Sequence, residues 1–334
     1  MRRSAPLLAV ALVTAALTGC MPSSLPPGPL AAAPAPPVAA DDAFLTADGY
    51  RLPVRRWTAA GEPHAVVLAV HGFNDHSASF AGTGASLANL GIDVWAYDQR
   101  GFGAAPGRGL WAGAEVLAAD VTAFARALRQ RHPDLPLVLL GESMGGAVVI
   151  AAATSDDPPP VDGIVLSAPA VWARDTMPLL YRATLTFATY TVPWLTLSGR
   201  GLGFMPSDNI EMLRALARDP LIIRETRVDT IAGLVDLMDL ALDKVDEVPG
   251  PVLYLYGAHD EIVPRAPTAR AIASLPDRGG RVRVVYYADG WHMLLRDLQA
   301  ERVHADIAAW IDHPALPLPS GEDLPPDATL PPAD

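Results

Sequence analysis

The sequence has a single cysteine, Cys20, in 334 residues. No intrachain disulfide can form, and a cysteine-based zinc cluster is excluded. Charge is sparse as well: 19% of residues are charged, no Lys/Arg block occurs, and the formal net charge is −12. An acidic chain without basic clusters is poorly suited to neutralising phosphates, so nucleic acid is not an expected partner. No apolar run outside the insert discussed below is long enough to span a bilayer comfortably. What is abundant is apolar side chain, 50% of the total, enough for one sizeable core. Proline is also abundant, with 33 copies clustered towards the two ends.

The N-terminus has the features of a secretory signal. Arg2 and Arg3 precede a short apolar run, Leu7 to Leu17. Leu17-Thr18-Gly19-Cys20 follows and resembles the bacterial lipobox, in which the cysteine receives lipid and becomes the new N-terminus. Residues 1–19 are therefore expected to be a signal peptide. Residues 20–42 are expected to be a lipidated cysteine with a Pro-rich tether that packs no core. Residues 315–334, Pro-rich and acidic, are expected to be disordered. These features imply an envelope location outside the cytoplasm and a membrane partner through the lipid. Met21 after the cysteine, rather than aspartate, favours an outer membrane where one exists.

Between these ends, Val66–Val70, Val94–Tyr97, Leu137–Leu140, Ile164–Leu166, Val252–Tyr256 and Val282–Tyr287 read as buried strands. Helical patterns separate them. In Glu115–Arg131 the residues Leu117, Val121, Phe124 and Leu128 recur at helical spacing, and Pro133 closes the helix. Strand–helix alternation implies an α/β fold with a mainly parallel sheet. Ligands in such folds bind beyond the carboxyl ends of the strands.

Gly141-Glu142-Ser143-Met144-Gly145 directly follows one such strand and precedes the apolar Ala147–Ala153. A serine on a tight strand-to-helix turn needs small neighbours two positions away, and the glycines supply them. Its hydroxyl then projects towards a helix N-terminus, which favours developing negative charge. A serine needs a base held by a carboxylate. Of eight histidines, His292 lies just past the last strand, while His64, His132, His304 and His313 read as surface or helix-end residues. Asp260 follows the preceding strand and is the chosen acid, with Glu261 second, Asp289 third, and His259 a weak competitor as base. The oxyanion donors are expected to be the N–H groups of Met144 and Phe73, with His71 holding the Phe73 loop.

Together these residues resemble the monoacylglycerol lipase and lysophospholipase group of serine α/β-hydrolases, over about Leu52 to Trp310. The pieces that carry the resemblance are His71-Gly72-Phe73-Asn74-Asp75-His76-Ser77, Tyr97-Asp98-Gln99-Arg100-Gly101-Phe102-Gly103, Gly141 to Gly146, Ser167-Ala168-Pro169-Ala170 and Gly257-Ala258-His259-Asp260. The resemblance implies an eight-stranded core, no metal or organic cofactor, and hydrolysis of monoacyl lipid esters. Glu142 departs from it, since relatives often have histidine there. So does Gly101-Phe102-Gly103-Ala104-Ala105, where a Gly-x-Gly-x-Ser pattern is altered. Both departures bear on the pocket and not on the triad.

Residues 43–169 and 249–314 are accordingly expected to form the core, and 170–248 a helical cap. Within it, 177–197 is very apolar but carries Arg182 and two prolines, which suits a lipid-binding cap better than a membrane span. Asp208–Asp243 is expected to pack the cap. The same triad could serve an acyltransferase, thioesterase or peptidase, and a non-catalytic envelope lipoprotein is the rival of a different class. A haloalkane dehalogenase or epoxide hydrolase would need a carboxylate at position 143.

Overall fold

The computed structural model describes residues 21–199, 203–276 and 280–331. The stretch expected to be a signal peptide, 1–19, and Cys20 lie outside the described residues. The strands are β1 (Val38–Ala39), β2 (Ala43–Leu45), β3 (Arg51–Trp57), β4 (Ala65–Val70), β5 (Ile92–Tyr97), β6 (Leu137–Glu142), β7 (Gly163–Ser167), β8 (Thr196–Leu197), β9 (Thr226–Arg227), β10 (Val252–Gly257) and β11 (Val282–Tyr287). The helices are α1 (Ala81–Asn89), α2 (Ala114–Arg131), α3 (Met144–Ala153), α4 (Leu179–Thr191), α5 (Ile210–Leu216), α6 (Val228–Lys244), α7 (Arg265–Ser274) and α8 (Ala300–Asp312).

Nine strands form one sheet in the order β1-β2-β3-β5-β4-β6-β7-β10-β11. From β5 to β11 all neighbours run parallel, and β1, β2 and β3 add on antiparallel. The expected count of eight is exceeded because the chain before Arg51 folds back and extends the sheet. Every residue of β4 is buried. Val66, Leu68 and Val70 share a core with α2, α3, α6 and α7, and Val67 and Ala69 share the opposite one with α1 and α8. A strand covered on both faces has no polar side, which is why these runs are continuous rather than alternating.

Both Pro-rich ends depart from expectation. The segment after Cys20 is not a free tether. Leu25 is buried, its N–H donates to Trp111 O at 2.9 Å, and its methyl group stands where a side chain at Gly107 would be. Ser23 N–H donates to Asp229 Oδ2 at 2.9 Å, and Gly28 N–H to Asp48 Oδ2 at 2.9 Å. Proline carries no N–H, so an extended Pro-rich stretch has few donors to satisfy, and these non-proline ones find acceptors on the domain.

The C-terminal stretch, expected to be disordered, runs along the sheet edge. Asp323 bridges antiparallel to Val285, with Leu324 N–H on Val284 O at 2.8 Å and Tyr286 N–H on Glu322 O at 3.1 Å. Its acidic residues meet arginines of the domain: Asp323 pairs with Arg283 at 2.6 Å, and Glu322 with Arg302. Leu318 and Leu330 are buried. Two of the acidic side chains that suggested disorder, Glu322 and Asp323, are held by these contacts.

The insert between β7 and β10 is of two kinds. Ten residues of α6 are buried, and this helix belongs to the core beside α3. In contrast, α4 and α5 bury no residue fully. Within the expected cap-packing stretch 208–243, α6 does pack against α4, which roofs the site, but it also completes the core, whereas α5 buries no residue fully. Among the described residues no helix is long and apolar enough to cross a membrane.

Candidate active site

Ser143 occupies the turn between β6 and α3 with φ 53° and ψ −118°, a conformation unfavourable for a residue with a side chain. The turn can be this tight only because its neighbours lack Cβ atoms. A Cβ on Gly145 would lie 1.9 Å from Val70 O, and one on Gly141 would lie 2.7 Å from the Gly146 nitrogen. Ser143 Oγ thus stands off the carboxyl end of the sheet, 3.0 Å from His292 Nε2.

His292 Nδ1 lies 2.9 Å from Asp260 Oδ2. A carboxylate accepts only, so Nδ1 carries the proton and Nε2 is left to accept from the serine hydroxyl. Asp260 Oδ1 is in turn held by the N–H groups of Ile262 and Val263, at 2.8 and 2.9 Å. His292 is buried, which works to lower its pKa, but the Asp260 carboxylate prevails and the net displacement is upward. The structure therefore brings Ser143, His292 and Asp260 into one relay. The alternatives lie elsewhere. Glu261 accepts from Met205 N–H, Asp289 is exposed, and His259 stacks on Trp291.

Met144 is the first residue of α3, so its N–H has no intrahelical partner. Phe73 N–H is taken up by no hydrogen bond among the described residues. Both residues line the cavity at Ser143, and Gly72 lets the loop approach, since a Cβ there would lie 3.3 Å from Ser143 Cβ. His71 is buried and holds this loop. Its Nδ1 donates to Gly72 O at 2.8 Å and its Nε2 accepts from Gln99 N–H at 3.0 Å. Burial lowers its pKa, which keeps it neutral in that role.

The cavity over the triad has a volume of about 500 Å³. Trp172, Met177, Tyr181, Leu185, Leu234 and Met238 supply an apolar wall. At another side lies a charged cluster that the sequence reading missed. Arg296 donates to Glu142 Oε2 at 3.0 Å and to Asp75 Oδ2 at 2.8 Å; both carboxylates are buried, and the arginine is nearly so. Burial raises the Glu142 pKa against the pull of Arg296. Glu142 itself was the available signal: a carboxylate beside the nucleophile demands a nearby cation. Asp297 was also missed. It receives Trp291 N–H at 2.8 Å and Ser207 Oγ–H at 2.6 Å, tying the His292 loop to the insert. His304, read as a surface residue, is buried in α8 with its Nε2 3.2 Å from Leu295 O.

A nucleophile elbow, a base with its orienting acid and paired N–H donors at the end of a parallel sheet define a serine α/β-hydrolase. The comparisons with known proteins agree. A family profile described as serine aminopeptidase, S33, matches residues 61–299, and the chain belongs to this family. It is 24% identical over 279 residues to a monoacylglycerol lipase of Mycolicibacterium smegmatis, covering 81% of this chain and 96% of that protein. It is 27% identical to a mouse monoglyceride lipase, covering 81% and 89%. Among solved structures, a Saccharomyces cerevisiae monoglyceride lipase variant shares the fold with a TM-score of 0.68, at 20% identity and over 79% and 92% of the two chains. The chain is a carboxylic ester hydrolase of the monoacylglycerol lipase-like kind.

Proposed function

We propose that the chain hydrolyses monoacyl lipid esters, monoacylglycerols first and lysophospholipids second, while held to a cell-envelope membrane by lipid on Cys20. The observation that carries this is the position of the triad at the base of a predominantly apolar cavity of about 500 Å³. That size and character suit one acyl chain better than a peptide or a triester.

In the reaction, His292 Nε2 takes the Ser143 proton as Oγ attacks the ester carbonyl. The Met144 and Phe73 N–H groups stabilise the oxyanion, each worth on the order of 10²–10³ in rate. Collapse expels the alcohol, which takes the proton from His292 and leaves an acyl-enzyme on Ser143. Water then enters and attacks the acyl carbonyl as it gives a proton to His292; cleavage of the ester bond to Ser143 releases the fatty acid, and Ser143 Oγ recovers its proton from His292. No step needs a metal or an organic cofactor.

The family's description as an aminopeptidase supports a second reading, in which the bond cleaved is an amide. An aminopeptidase needs a carboxylate free to hold a terminal ammonium. Here Asp75 and Glu142, the acidic residues facing the cavity beside the triad, are already paired with Arg296. Ester lipids are therefore preferred.

The test assays the protein and its Ser143→Ala variant on monoacylglycerols, lysophospholipids, nitrophenyl esters of graded length and aminoacyl anilides. Turnover of long monoacyl esters by the parent alone, with fluorophosphonate labelling lost in Ser143→Ala, is expected. A folded protein that labels but cleaves only anilides would overturn the lipid reading. One that neither labels nor cleaves any ester would leave a binding lipoprotein.

A further inference from the structure

Phe73, whose N–H is one of the two oxyanion donors, is followed by a residue in a strained conformation. Asn74 has φ 64°, in the left-handed region, where a residue with a side chain persists only if its surroundings hold it. What holds it comes from outside the sheet. Ile223 N–H donates to Asn74 O at 3.0 Å, and Asn74 Nδ2 donates to Thr226 Oγ1 at 2.7 Å. Two residues further on, the buried His76 adds a third contact. Its Nδ1 accepts from Ala78 N–H at 3.4 Å, so Nε2 carries the proton and donates to Asp219 Oδ2 at 3.0 Å.

Asp219, Ile223 and Thr226 all belong to the insert between β7 and β10, in the stretch that joins α5 to α6. That stretch is itself braced. Asp219 Oδ1 accepts Leu221 N–H at 2.8 Å, and Arg224 Nη2 donates to Ala217 O and Asp219 O at 2.9 and 2.7 Å. The other side of α5 is fixed to the loop that carries the base. Met293 N–H donates to Pro206 O at 3.0 Å, Asn209 Nδ2 to Arg296 O at 2.9 Å, and Leu298 N–H to Asp208 Oδ1 at 2.9 Å. One continuous piece of chain, 206–226, thus runs from the His292 loop to the Phe73 loop.

We infer that this piece of the insert sets the oxyanion hole against the triad, with Asp219 and Thr226 as positioning residues for the Phe73 N–H. Neither residue lines the cavity over the triad, so neither contacts the ester there. A donor stabilises an oxyanion only when aimed at the place the charged oxygen takes. A loop released from these bonds keeps its donor and loses the aim. The inference rests on acyl transfer through Ser143 and is independent of which ester is the natural one. It assigns the insert a part in the rate of the chemical step as well as in covering the site.

The test uses the full chain and its Asp219→Ala, Asp219→Asn, Thr226→Val and Thr226→Ser variants. Asp219 is partly exposed, and valine matches threonine in shape, so neither change hollows the core; circular dichroism checks the fold. Three quantities are read: kcat/KM on nitrophenyl butyrate, affinity for a butyl trifluoromethyl ketone, and affinity for an unreactive ether of the same shape. Ser143 Oγ adds to the ketone carbon and leaves a negative oxygen in the hole, whereas the ether reports binding alone. In Asp219→Ala and Thr226→Val, kcat/KM is expected to fall about tenfold to a hundredfold, part of the 10²–10³ that a whole donor supplies. The ketone should lose affinity by a similar factor while the ether stays within about twofold of the parent. Asp219→Asn keeps an acceptor for His76 Nε2–H and Thr226→Ser keeps the hydroxyl, so each should recover most of the loss. A contact that serves only structure would move ketone and ether alike, and that result overturns the inference. So does a loss below about threefold in both impaired variants, a fall in kcat/KM with ketone affinity unchanged, or an asparagine variant as damaged as the alanine one. A parent that cleaves nitrophenyl butyrate and no lipid ester overturns the lipid reading alone, because the variants are still ranked on the butyrate. A parent that cleaves no ester overturns both.

Discussion

Asp260 grips His292 through one carboxylate oxygen and is itself gripped through the other, with Oδ2 at 2.9 Å from Nδ1 and Oδ1 shared by two backbone N–H groups. The base is therefore oriented by the chain just after β10, not by a flexible side chain. Replacing the acid, Asp260→Asn, keeps the shape but lets the histidine adopt the wrong tautomer. A fall in kcat on the order of 10⁴ is expected, with retained fold by circular dichroism. A loss below tenfold would point to Glu261 or another acid.

The direction of the His292 displacement sets the acid limb of activity. The base must be neutral to work, and its pKa is raised above the ordinary 6.5. Protonation therefore persists above that pH, and kcat/KM should reach half its plateau on the alkaline side of 6.5. In Asp260→Asn the residual activity should have its half-point shifted to lower pH. An unshifted limb would mean that the carboxylate does not act on His292 electrostatically.

Gly145→Ala should do more harm than its single methyl suggests. The new Cβ meets backbone, Val70 O at 1.9 Å, and no side chain can swing aside to admit it. We expect a loss of about 3 kcal/mol or more in stability and an elbow displaced enough to abolish turnover. Denaturant unfolding together with fluorophosphonate labelling measures both.

Arg296→Met leaves Asp75 and Glu142 buried without their cation. Removing one partner of such a cluster costs about 3–5 kcal/mol. The Glu142 pKa, already raised, rises further in the variant. Carboxyls with raised folded-state pKa values lose stability as pH climbs through those values and regain it on acidification. The melting-temperature gap between parent and variant should therefore narrow as pH is lowered from 8 towards about 5. A constant gap would show that the arginine acts through packing alone.

Removal of residues 315–334 should also cost stability. It exposes the edge of β11, uncovers the sites of Leu318 and Leu330, and frees Arg283 and Arg302 of their acidic partners. A loss of about 2–4 kcal/mol follows from two buried leucines alone, less the entropy of ordering the tail. The shortened chain should also associate through the bared edge. Calorimetry and light scattering test the two effects separately.

The legible parts of this chain were those with one strong physical cause. Strands β4, β6 and β10 are buried on both faces and announce themselves as unbroken apolar runs. The elbow shows because only glycine fits at 141 and 145. Strand β3 did not show, because it pairs antiparallel near an edge, exposes Arg51 and Arg55 on one face, and carries Arg56, paired with the buried Asp93, on the other. The two Pro-rich ends misled for another reason. Composition reports how little such a segment could bury alone, not that a groove elsewhere accepts one leucine, as it does Leu25 and Leu318. Arg296 was hidden because a single arginine in a loop carries no pattern, and only its pairing with Glu142 explains it. His304 was readable in hindsight: it falls on the same helical stripe as Val303, Ile307 and Trp310.

The contact between Ser23 and Asp229 joins positions 206 residues apart. Its formation closes a loop around most of the chain, so the entropy it must overcome is large and its reward is a few hydrogen bonds and one buried leucine. The residues from Ser23 onwards, although synthesised early, are then among the last to settle, after β5, α2 and α6 exist to receive them. Such a late contact is also an early one to open, and amide hydrogens from Ser23 to Leu30 should exchange well before those of β4 while the triad remains assembled.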